Sequence, residues 1–154
     1  VKQLLAGSVD LIFLFEPPQI SGIEVKAVAS VELKLVTTNA VAMAKDAMVA
    51  NYIYVDYGQS VSVQHAREFG DNTPIKHRID QPKLALELLL SASSDVLTSA
   101  YLPLAMVHQL CQQRRLFMVA NAPTFRRDIY AVYAGESRRR SLIDDALEYV
   151  NYVK

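Results

Sequence analysis

The sequence predicts an α/β fold built on a mostly parallel sheet. Short apolar runs alternate with amphipathic stretches along the whole chain, and this alternation is typical of parallel strands covered by helices. The composition agrees, because 51% hydrophobic and 21% charged residues describe a folded chain rather than a disordered one. A length of 154 residues allows one domain or two small lobes.

Strands are predicted wherever apolar and β-branched residues run together. The apolar run at residues 11–15 is continuous and stops before Pro17, so it predicts a buried parallel strand. The segment 52–55 combines aromatic and β-branched side chains, which favour strands. The predicted strands are residues 11–15, 23–29, 31–37, 52–55, 75–79, 96–98, 117–119 and 128–134.

Helices are predicted between these strands. Ser60 and Asp80 stand where side-chain N-caps are expected, and Gly7 ends an opening helical turn. The helix after Asp80 carries five leucines and is predicted to be largely buried. Either Ser137 or Ser141 caps the last helix. The predicted helices are residues 1–6, a short one within 40–50, and then 60–69, 80–90, 102–111 and 141–150.

The charge balance argues against a surface that binds nucleic acid. Lysine plus arginine total 16, and aspartate plus glutamate total 16, so the formal net charge is zero. A surface that binds duplex DNA normally carries a basic excess. This segment is therefore expected not to bind DNA by itself.

The sequence shows no pattern of a membrane or secreted protein. No apolar run approaches the roughly 20 residues that span a bilayer, and no secretory signal pattern is present. Cys111 is the only cysteine, so no internal disulfide is expected, which fits a reducing cytoplasm. Because the chain starts at Val1 inside a predicted helix, we expect a fragment of a longer cytoplasmic protein.

Motifs for catalysis were not found in the sequence. Neither a GxGxxG nor a P-loop pattern occurs. The histidines His65, His77 and His108 lack metal-ligand spacing and are predicted to be surface or packing residues. Cys111 lies on the apolar stripe of a predicted helix, which is typical of an inert core residue. We therefore expect no enzyme, no cofactor and no metal site.

Two charged runs lie near the carboxyl end of the chain. Arg138, Arg139 and Arg140 stand at the start of the last helix, where the helix dipole disfavours positive charge. They can contact a phosphate or an acidic partner, but a solvated run is favoured because the chain has no basic excess. Asp144 and Asp145 point in different directions on the helix, so a solvated face is favoured there too.

Polar residues follow several of the predicted strands. In open α/β sheets, ligands bind beyond the carboxyl ends of the strands. Helices beginning near Ser60, Asp80 and Leu102 direct backbone N–H groups at the same crevice, which favours an anionic ligand such as a carboxylate. For Ser60 and Asp80, capping and ligand contact are equally favoured, and one residue can do both.

The order of three motifs resembles the effector-binding domain of LysR-type transcriptional regulators. The first is LxxGxxD at residues 4–10, followed by a five-residue apolar strand. The second is a helix that leads through a break of small residues at 91–103 into Leu-Pro. The third is the segment 127–130, which leads through a polar turn into the helix at 141–150. The resemblance covers essentially the whole chain, and the order and spacing are more specific than any single motif.

The resemblance implies a fold of two Rossmann-like lobes joined by crossover strands, as in type II periplasmic-binding-protein-like folds. Residues 1–30 and 135–154 would form the first lobe, and residues 39–127 the second. Residues 31–38 and 128–134 would be the crossover strands. The opening strand and helix of the first lobe are absent from this chain, so that lobe is expected to be truncated at its N-terminus.

The resemblance also implies a bacterial regulator that senses a small-molecule effector between its lobes. Its DNA-binding part would be a winged helix-turn-helix that lies N-terminal in the family and is absent here. The intact protein is expected to be a cytoplasmic homo-oligomer without membrane contact. The segment Val55-Asp56-Tyr57-Gly58 resembles the branch that includes a repressor of a flagellar master operon.

Eleven residues are predicted to contact the effector. Phe15 and Glu16 stand where some relatives carry a basic residue, which weakens the case for a simple carboxylate. The break before Leu102 lacks the usual glycine, so the loop is expected to differ in shape. The predicted contact residues are Phe15, Glu16, Thr37, Thr38, Tyr57, Gly58, Ser60, Asp80, Thr98, Ala100 and Tyr101.

Two other functions compete with a regulator. A solute-binding protein of a transport system has the same two-lobe design, and an export signal on the full-length gene would favour it. An upstream helix-turn-helix would exclude it. A small α/β enzyme needs a nucleophile with a base or a metal constellation, and the sequence shows neither.

Overall fold

A computed structural model describes residues 1–41, 43–71, 73, 75 and 77–152, except for the side chain of residue 152. Helices and strands alternate along the chain, as the sequence predicts. In chain order the elements are α1 (Lys2–Leu5), β1 (Leu11–Leu14), β2 (Ile23–Thr37), α2 (Ala44–Asn51), β3 (Tyr52–Val55), α3 (Gln59–Phe69), β4 (His77–Ile79), α4 (Pro82–Ser91), β5 (Thr98–Pro103), α5 (Leu104–Gln112), β6 (Phe117–Met118), β7 (Phe125–Ala134) and α6 (Arg140–Tyr152).

The chain divides into two compact units. Unit 1 consists of Val1–Ser30 and Asp128–Lys154, and unit 2 consists of Val31–Arg127. The two long strands, β2 and β7, each run through this division. The lobe and crossover boundaries expected from the resemblance stay a prediction.

Unit 1 has a small antiparallel sheet with α6 packed on it. β1 pairs antiparallel with the second half of β7, with Leu11 opposite Tyr133 and Leu14 opposite Tyr130. The prediction of a buried parallel strand at 11–15 is therefore wrong in direction. It is also wrong in burial, since no residue of β1 is fully buried and Phe13 is 48% exposed. Its core consists of Val28, Ala131, Tyr133, Ile143 and Leu147.

Unit 2 has a mixed sheet with the strand order β2-β5-β3-β4, and β6 pairs with β2. β3 runs parallel to β4 and β5, whereas β2 runs antiparallel to both β5 and β6. The α/β class is right, but the prediction of a mostly parallel sheet is wrong. Apolar runs mark buried strands without giving their direction, so the sequence pattern was unable to separate the two cases.

Two strand boundaries also differ from the prediction. The segments 23–29 and 31–37 are one continuous strand, β2. β5 begins at Thr98, where a predicted strand ended, and continues through Tyr101 to Pro103. The start of this strand was missed because Thr98 and Ser99 are polar and interrupt the apolar run by which buried strands were predicted. Here both are buried, and Ser99 Oγ donates a hydrogen bond to the Ala47 carbonyl at 2.6 Å.

The core of unit 2 lies around the central strand β5. Its aliphatic part includes Leu33, Leu35 and Leu102, which are all 1% exposed or less. Its aromatic part is centred on a stacked pair, Tyr101 and Phe125, whose ring centroids are 4.3 Å apart. This packing fixes β5 and the start of β7 to the inner face of α3.

The helix starts correct several cap predictions. α3 begins at Gln59 with Gly58 as N-cap, and α4 begins at Pro82 with Gln81 as N-cap. Neither Ser60 nor Asp80 is therefore an N-cap. The last helix begins at Arg140, so neither Ser137 nor Ser141 is its N-cap, and Ser137 Oγ accepts the Arg139 N–H at 3.2 Å in the turn before the helix. Each predicted cap lies within a few residues of the observed helix start, which is the usual uncertainty of such predictions.

Burial on α4 is lower than predicted. Only Ala85 and Leu89 are buried, while Leu84 and Leu88 are 44% and 41% exposed. Five leucines at mixed spacing cannot all face one side of a helix, so part of the apolar surface points outward.

Candidate functional site

Strand direction decides which polar residues in unit 2 share an edge of the sheet. Because β3 is parallel to β4 and β5, the turn after Val55, Asp80 after Ile79, and Pro103 all lie at the same edge. We call this the carboxyl edge. The Asp56 N–H donates to the Ile79 carbonyl at 2.7 Å, which ties the turn after β3 to the end of β4.

A glycine turn at the carboxyl edge connects β3 to α3. Gly58 has φ 95° and ψ −176°, a conformation that essentially only glycine adopts. Its N–H donates to Asp56 Oδ1 at 2.9 Å, which holds the turn in this shape. A turn is expected at the sequence pair Tyr57-Gly58, directly after the strand predicted at 52–55, and the structure has it there.

The N-terminus of α3 follows this turn. Its N-cap is glycine, and no side chain accepts a hydrogen bond there. The first hydrogen bond within the helix is from the Ser62 N–H to the Gly58 carbonyl at 3.1 Å. The first turn of α3 therefore lies at the carboxyl edge, where the helix dipole favours an anion.

Tyr57 forms the floor beside this helix end. Its hydroxyl donates to the Tyr101 carbonyl at 2.8 Å, and the Arg127 guanidinium lies 5.4 Å from its ring centroid. Burial raises the pKa of Tyr57 well above its usual value, and the nearby Arg127 charge opposes part of that rise. The phenol is thus a neutral donor at physiological pH, and Arg127 adds positive charge to the same edge.

Gln64 joins α3 to the first residues of β7. Its Nε2 donates to the Arg126 carbonyl at 2.8 Å, and its Oε1 accepts the Arg126 N–H at 3.0 Å. Arg126 also forms an exposed ion pair with Glu32 at 3.4 Å. Gln64, Arg126 and Arg127 are not among the contact residues predicted from the sequence. The basic pair directly before a predicted strand was the available signal.

Three predicted contact residues lie at the opposite edge of the sheet. Thr37 and Thr38 end β2, and Thr98 begins β5, because these two strands are antiparallel. The expectation that all the polar strand ends share one crevice is wrong for these three. We call this the threonine edge.

Hydrogen bonds within the threonine edge use its side chains. The Thr37 hydroxyl contacts the carbonyls of Asn39 and Phe117. Thr38 Oγ1 accepts the Thr98 N–H at 3.1 Å, and the Thr38 N–H donates to the Thr98 carbonyl at 3.0 Å. This arrangement joins the strand ends to one another and is structural in character.

Comparison with known proteins identifies the family. The model of the LysR substrate binding domain matches residues 1–153. The chain belongs to this LysR family. Curated proteins gave no match to the chain.

Solved regulatory domains of LysR-type proteins have the same fold. A point mutant of the OxyR2 regulatory domain from Vibrio vulnificus is 19% identical, with a TM-score of 0.70 over 99% of this chain and 76% of that one. The bromide-bound regulatory domain of HypT from Salmonella typhimurium is 14% identical, with a TM-score of 0.69 over 99% and 77%. A second OxyR2 mutant, bound to sulfate, is 18% identical with a TM-score of 0.70 over 99% and 76%.

The match confirms the predicted class of fold and of function. The chain has the type II periplasmic-binding-protein-like fold of LysR substrate-binding domains, which are parts of transcription regulators and are not enzymes. The solute-binding alternative is not favoured. The flagellar-operon branch is not confirmed and stays a prediction.

The other predicted contact residues of this LysR domain have different environments. Ala100 is fully buried in β5, and the Tyr101 side chain points into the core, where its hydroxyl donates to the Pro123 carbonyl at 2.9 Å. Only the backbone carbonyl of Tyr101 contacts the Tyr57 hydroxyl at the carboxyl edge. Phe15 and Glu16 are exposed residues after β1 in unit 1, and their predicted role stays a prediction.

In the described part of the LysR domain, His65 is the one buried histidine. It is 6% exposed, contacts the Tyr52 hydroxyl through Nε2 at 2.9 Å, and packs against rings of β3, α3, β5 and β7. Burial lowers its pKa because the imidazolium is poorly solvated there. This agrees with the prediction of a packing residue.

Cys111 is half-buried rather than fully inside the core. Burial raises the pKa of its thiol, so the protonated form is favoured. Within the described ranges, no group of three or more His, Cys, Asp or Glu side chains is arranged to hold a metal ion. None of the helices in the described part of the chain has the length and apolarity to cross a membrane.

Two of the three arginines at the start of α6 form ion pairs in unit 1. Arg139 pairs with Asp10 at 3.0 Å, and Arg140 pairs with Glu24 at 3.0 Å and with Asp144 at 3.2 Å. The hydrogen bond from Arg140 lowers the pKa of Glu24. Both side chains stay exposed, at 67% for Arg139 and 42% for Arg140, so the run is solvated as predicted, with ion pairs that the sequence did not predict.

Proposed function

We propose that this LysR domain binds a small anionic metabolite at the carboxyl edge of unit 2 and thereby controls DNA binding by the intact regulator. The observation that carries the proposal is the position of the N-terminus of α3, which follows the Gly58 turn and has the Tyr57 ring and the Arg127 guanidinium beside it. Family membership makes effector sensing the function to which this site belongs.

The chemistry of the carboxyl edge favours an anion over a neutral ligand. The N–H groups at the start of α3 and the Arg127 guanidinium supply donors and positive charge on one side. Asp56 Oδ1 accepts the Gly58 N–H, and the negative charge of Glu32 is offset by its ion pair with Arg126. Asp80 lies at the end of β4, and its charge favours placing the anionic group toward Arg127 instead.

Two related structures hold ligands of this class. One HypT regulatory domain is described as bromide-bound, and one OxyR2 regulatory domain as sulfate-bound. Both ions are anions, so anion binding occurs in proteins of this fold. For this chain we propose contacts from Tyr57, Gly58, Ser60 and Arg127, with Gln64 as a positioning residue.

A thiol mechanism within the chain is less well supported than ligand binding. The sequence contains one cysteine, and an internal disulfide needs two. Cys111 is half-buried with a raised thiol pKa, which lowers its reactivity.

The regulatory effect of the effector follows from differential binding. A ligand that binds one conformation of the intact regulator more tightly shifts the population toward that conformation. DNA contact would come from an N-terminal domain outside this chain. Regulatory domains of this family oligomerise, and we propose a homo-oligomeric, cytoplasmic regulator without membrane contact.

Sulfate is a suitable probe for the proposed site. Amide signals in a ¹H–¹⁵N NMR spectrum of the chain are followed while sulfate replaces chloride at constant ionic strength. We expect saturable shifts centred on Gln59, Ser60 and Val61. Arg127→Gln is expected to weaken sulfate binding several-fold, whereas Arg127→Lys keeps the charge and retains part of the affinity.

The matched control is Arg115→Gln, which removes an exposed arginine at the end of α5 and is expected to leave sulfate binding unchanged. Shifts that centre on Thr37 and Thr98, or that are equal in sulfate and chloride, would contradict the proposal.

A further inference from the structure

A cavity in unit 2 lies away from the carboxyl edge. Its volume is about 580 Å³, within the range of small-molecule sites. It lies beside β6, which pairs with the end of β2 through Val36 opposite Met118 and Thr37 opposite Phe117. The cavity therefore adjoins the threonine edge, and nothing in the proposed function uses it.

The lining of this cavity is divided between an apolar wall and a polar rim. Val41, Phe117 and Met118 supply the apolar wall, and they come from the segment after β2 and from β6. His108 and Arg114, from α5 and the turn after it, supply cationic or hydrogen-bonding groups. Among the described residues that line it, none carries a carboxylate. The lining thus suits a ligand with an apolar body and a negative charge.

Arg114 is the one non-glycine residue with positive φ in the described part of the chain, at 57°. It occupies the position after the C-cap of α5, where glycine is strongly preferred. The Arg114 N–H donates to the Cys111 carbonyl at 3.1 Å, and the Arg115 N–H donates to the Leu110 carbonyl at 2.9 Å. An arginine here costs about 1 kcal/mol relative to glycine, and such outliers gather at functional sites.

The same hydrogen bonds remove an objection to an anionic ligand. The C-terminus of a helix carries partial negative charge on carbonyls without partners. At the end of α5, the carbonyls of Gln109, Leu110 and Cys111 each accept a backbone N–H. Arg114 is the arginine that lines the cavity, and its positive charge adds to this effect.

We propose that this cavity is a binding site for a small organic acid with an aromatic or branched apolar body. The acid group faces Arg114, and the body packs against Val41, Phe117 and Met118. The site is separate from the carboxyl edge, so its failure leaves the proposed function standing.

Cys111 lines the cavity and, as the only cysteine, reports on its occupancy. The probe is phenylacetate, and phenylacetamide is its neutral counterpart of the same shape. The rate at which iodoacetamide alkylates Cys111 in the full chain is measured by mass spectrometry at fixed pH. We expect phenylacetate to slow the alkylation several-fold in a saturable manner, and phenylacetamide to have a much smaller effect.

Arg114→Gly is the decisive variant because glycine relieves the positive φ and the protein is expected to fold at least as well. It should abolish the preference for the acid over the amide, whereas Arg115→Gln should keep it. Arg127→Gln, at the carboxyl edge, should also keep it. Absence of saturable protection in the parent chain, equal protection by acid and amide, or an unchanged preference in Arg114→Gly would each overturn the proposal.

Discussion

The two edges of the unit 2 sheet use their polar residues differently. At the threonine edge, the hydroxyls of Thr37, Thr38 and Thr98 contact backbone carbonyls of residues near the strand ends. At the carboxyl edge, the N-cap of α3 is Gly58, and no side chain caps the helix. Side chains that bond to neighbouring backbone hold strand ends together, whereas the dipole of a helix N-terminus favours an anion.

The position of a polar side chain in the fold distinguishes structural residues from candidate ligand contacts better than its residue type does. Threonine and serine are both common in ligand sites, and residue type does not rank Thr37 below Ser60. Position in the fold separates them, because Thr37 ends β2 at the threonine edge, whereas Ser60 lies in the first turn of α3 at the carboxyl edge. Substitutions at the two edges are therefore expected to have different consequences.

The largest effect is expected for Gly58→Ala at the carboxyl edge. A Cβ is strained at φ 95° and ψ −176°, so we expect a loss of about 2–3 kcal/mol in the free energy of unfolding. Sulfate binding should weaken as well, because the start of α3 must move. Urea denaturation and the NMR titration measure the two effects.

Gly135→Ala is the matched control for Gly58→Ala. A Cβ at Gly135 would meet its nearest neighbour, a Glu24 side-chain atom, at an ordinary 3.8 Å. Its stability is expected to stay within about 0.5 kcal/mol of the parent. Equal stability of the two glycine variants would show that the Gly58 turn is not required.

A smaller effect is expected for Thr37→Val at the threonine edge. Valine keeps the shape but removes the hydroxyl, so the carbonyls of Asn39 and Phe117 each lose a contact. We expect a loss of about 1–2 kcal/mol in the free energy of unfolding with sulfate binding unchanged. A Thr37→Val protein of full stability and impaired sulfate binding would reverse the roles of the two edges.

The smallest effect is expected from mild acid acting on His65 behind the carboxyl edge. Its folded-state pKa lies below the unfolded value of 6.5, so the native state binds fewer protons than the unfolded state. Stability is then complete above pH 6.5 and falls as the pH drops below it, until the folded-state pKa is reached. Between pH 7 and pH 6 the folding equilibrium constant should fall by no more than about threefold, which is the limit for a single group with an unfolded pKa of 6.5.

Hydrogen exchange locates this acid effect. Amides of α3 are expected to lose protection from exchange before those of the threonine edge, because His65 belongs to the buried face of α3 and packs against Phe69. In His65→Phe this pH dependence should disappear, whereas His108→Gln, at an exposed position, should retain it. A parent chain whose stability is flat from pH 7 to pH 5.5 would contradict the prediction.

Periodicity was sufficient for most elements of the fold. The strand at 52–55 and the helix at 60–69 lie almost as predicted, because aromatic and β-branched runs and a glycine turn are local signals. β5 was misplaced because Thr98 and Ser99 are buried only by tertiary contacts. Strand direction was missed for β1 and β2, since an apolar run is the same in parallel and antiparallel sheets.

The candidate site was predictable only where its signal was local. Tyr57 and Gly58 were found because a turn after a buried strand is visible in the sequence. Gln64 and Arg126 were missed because they meet across 62 residues of chain. Thr37 and Thr38 were included because β2 was taken as parallel to its neighbours, and Thr98 because a strand was predicted to end there instead of beginning.

The Gln64 side-chain amide both donates to and accepts from the Arg126 backbone, as the backbone of a neighbouring strand would do, and so attaches α3 to β7. The same amide also donates to the Ser60 carbonyl in the first turn of α3. The Gln64 side chain therefore links the first turn of α3, where we propose that an anion binds, to β7, and β7 continues into unit 1.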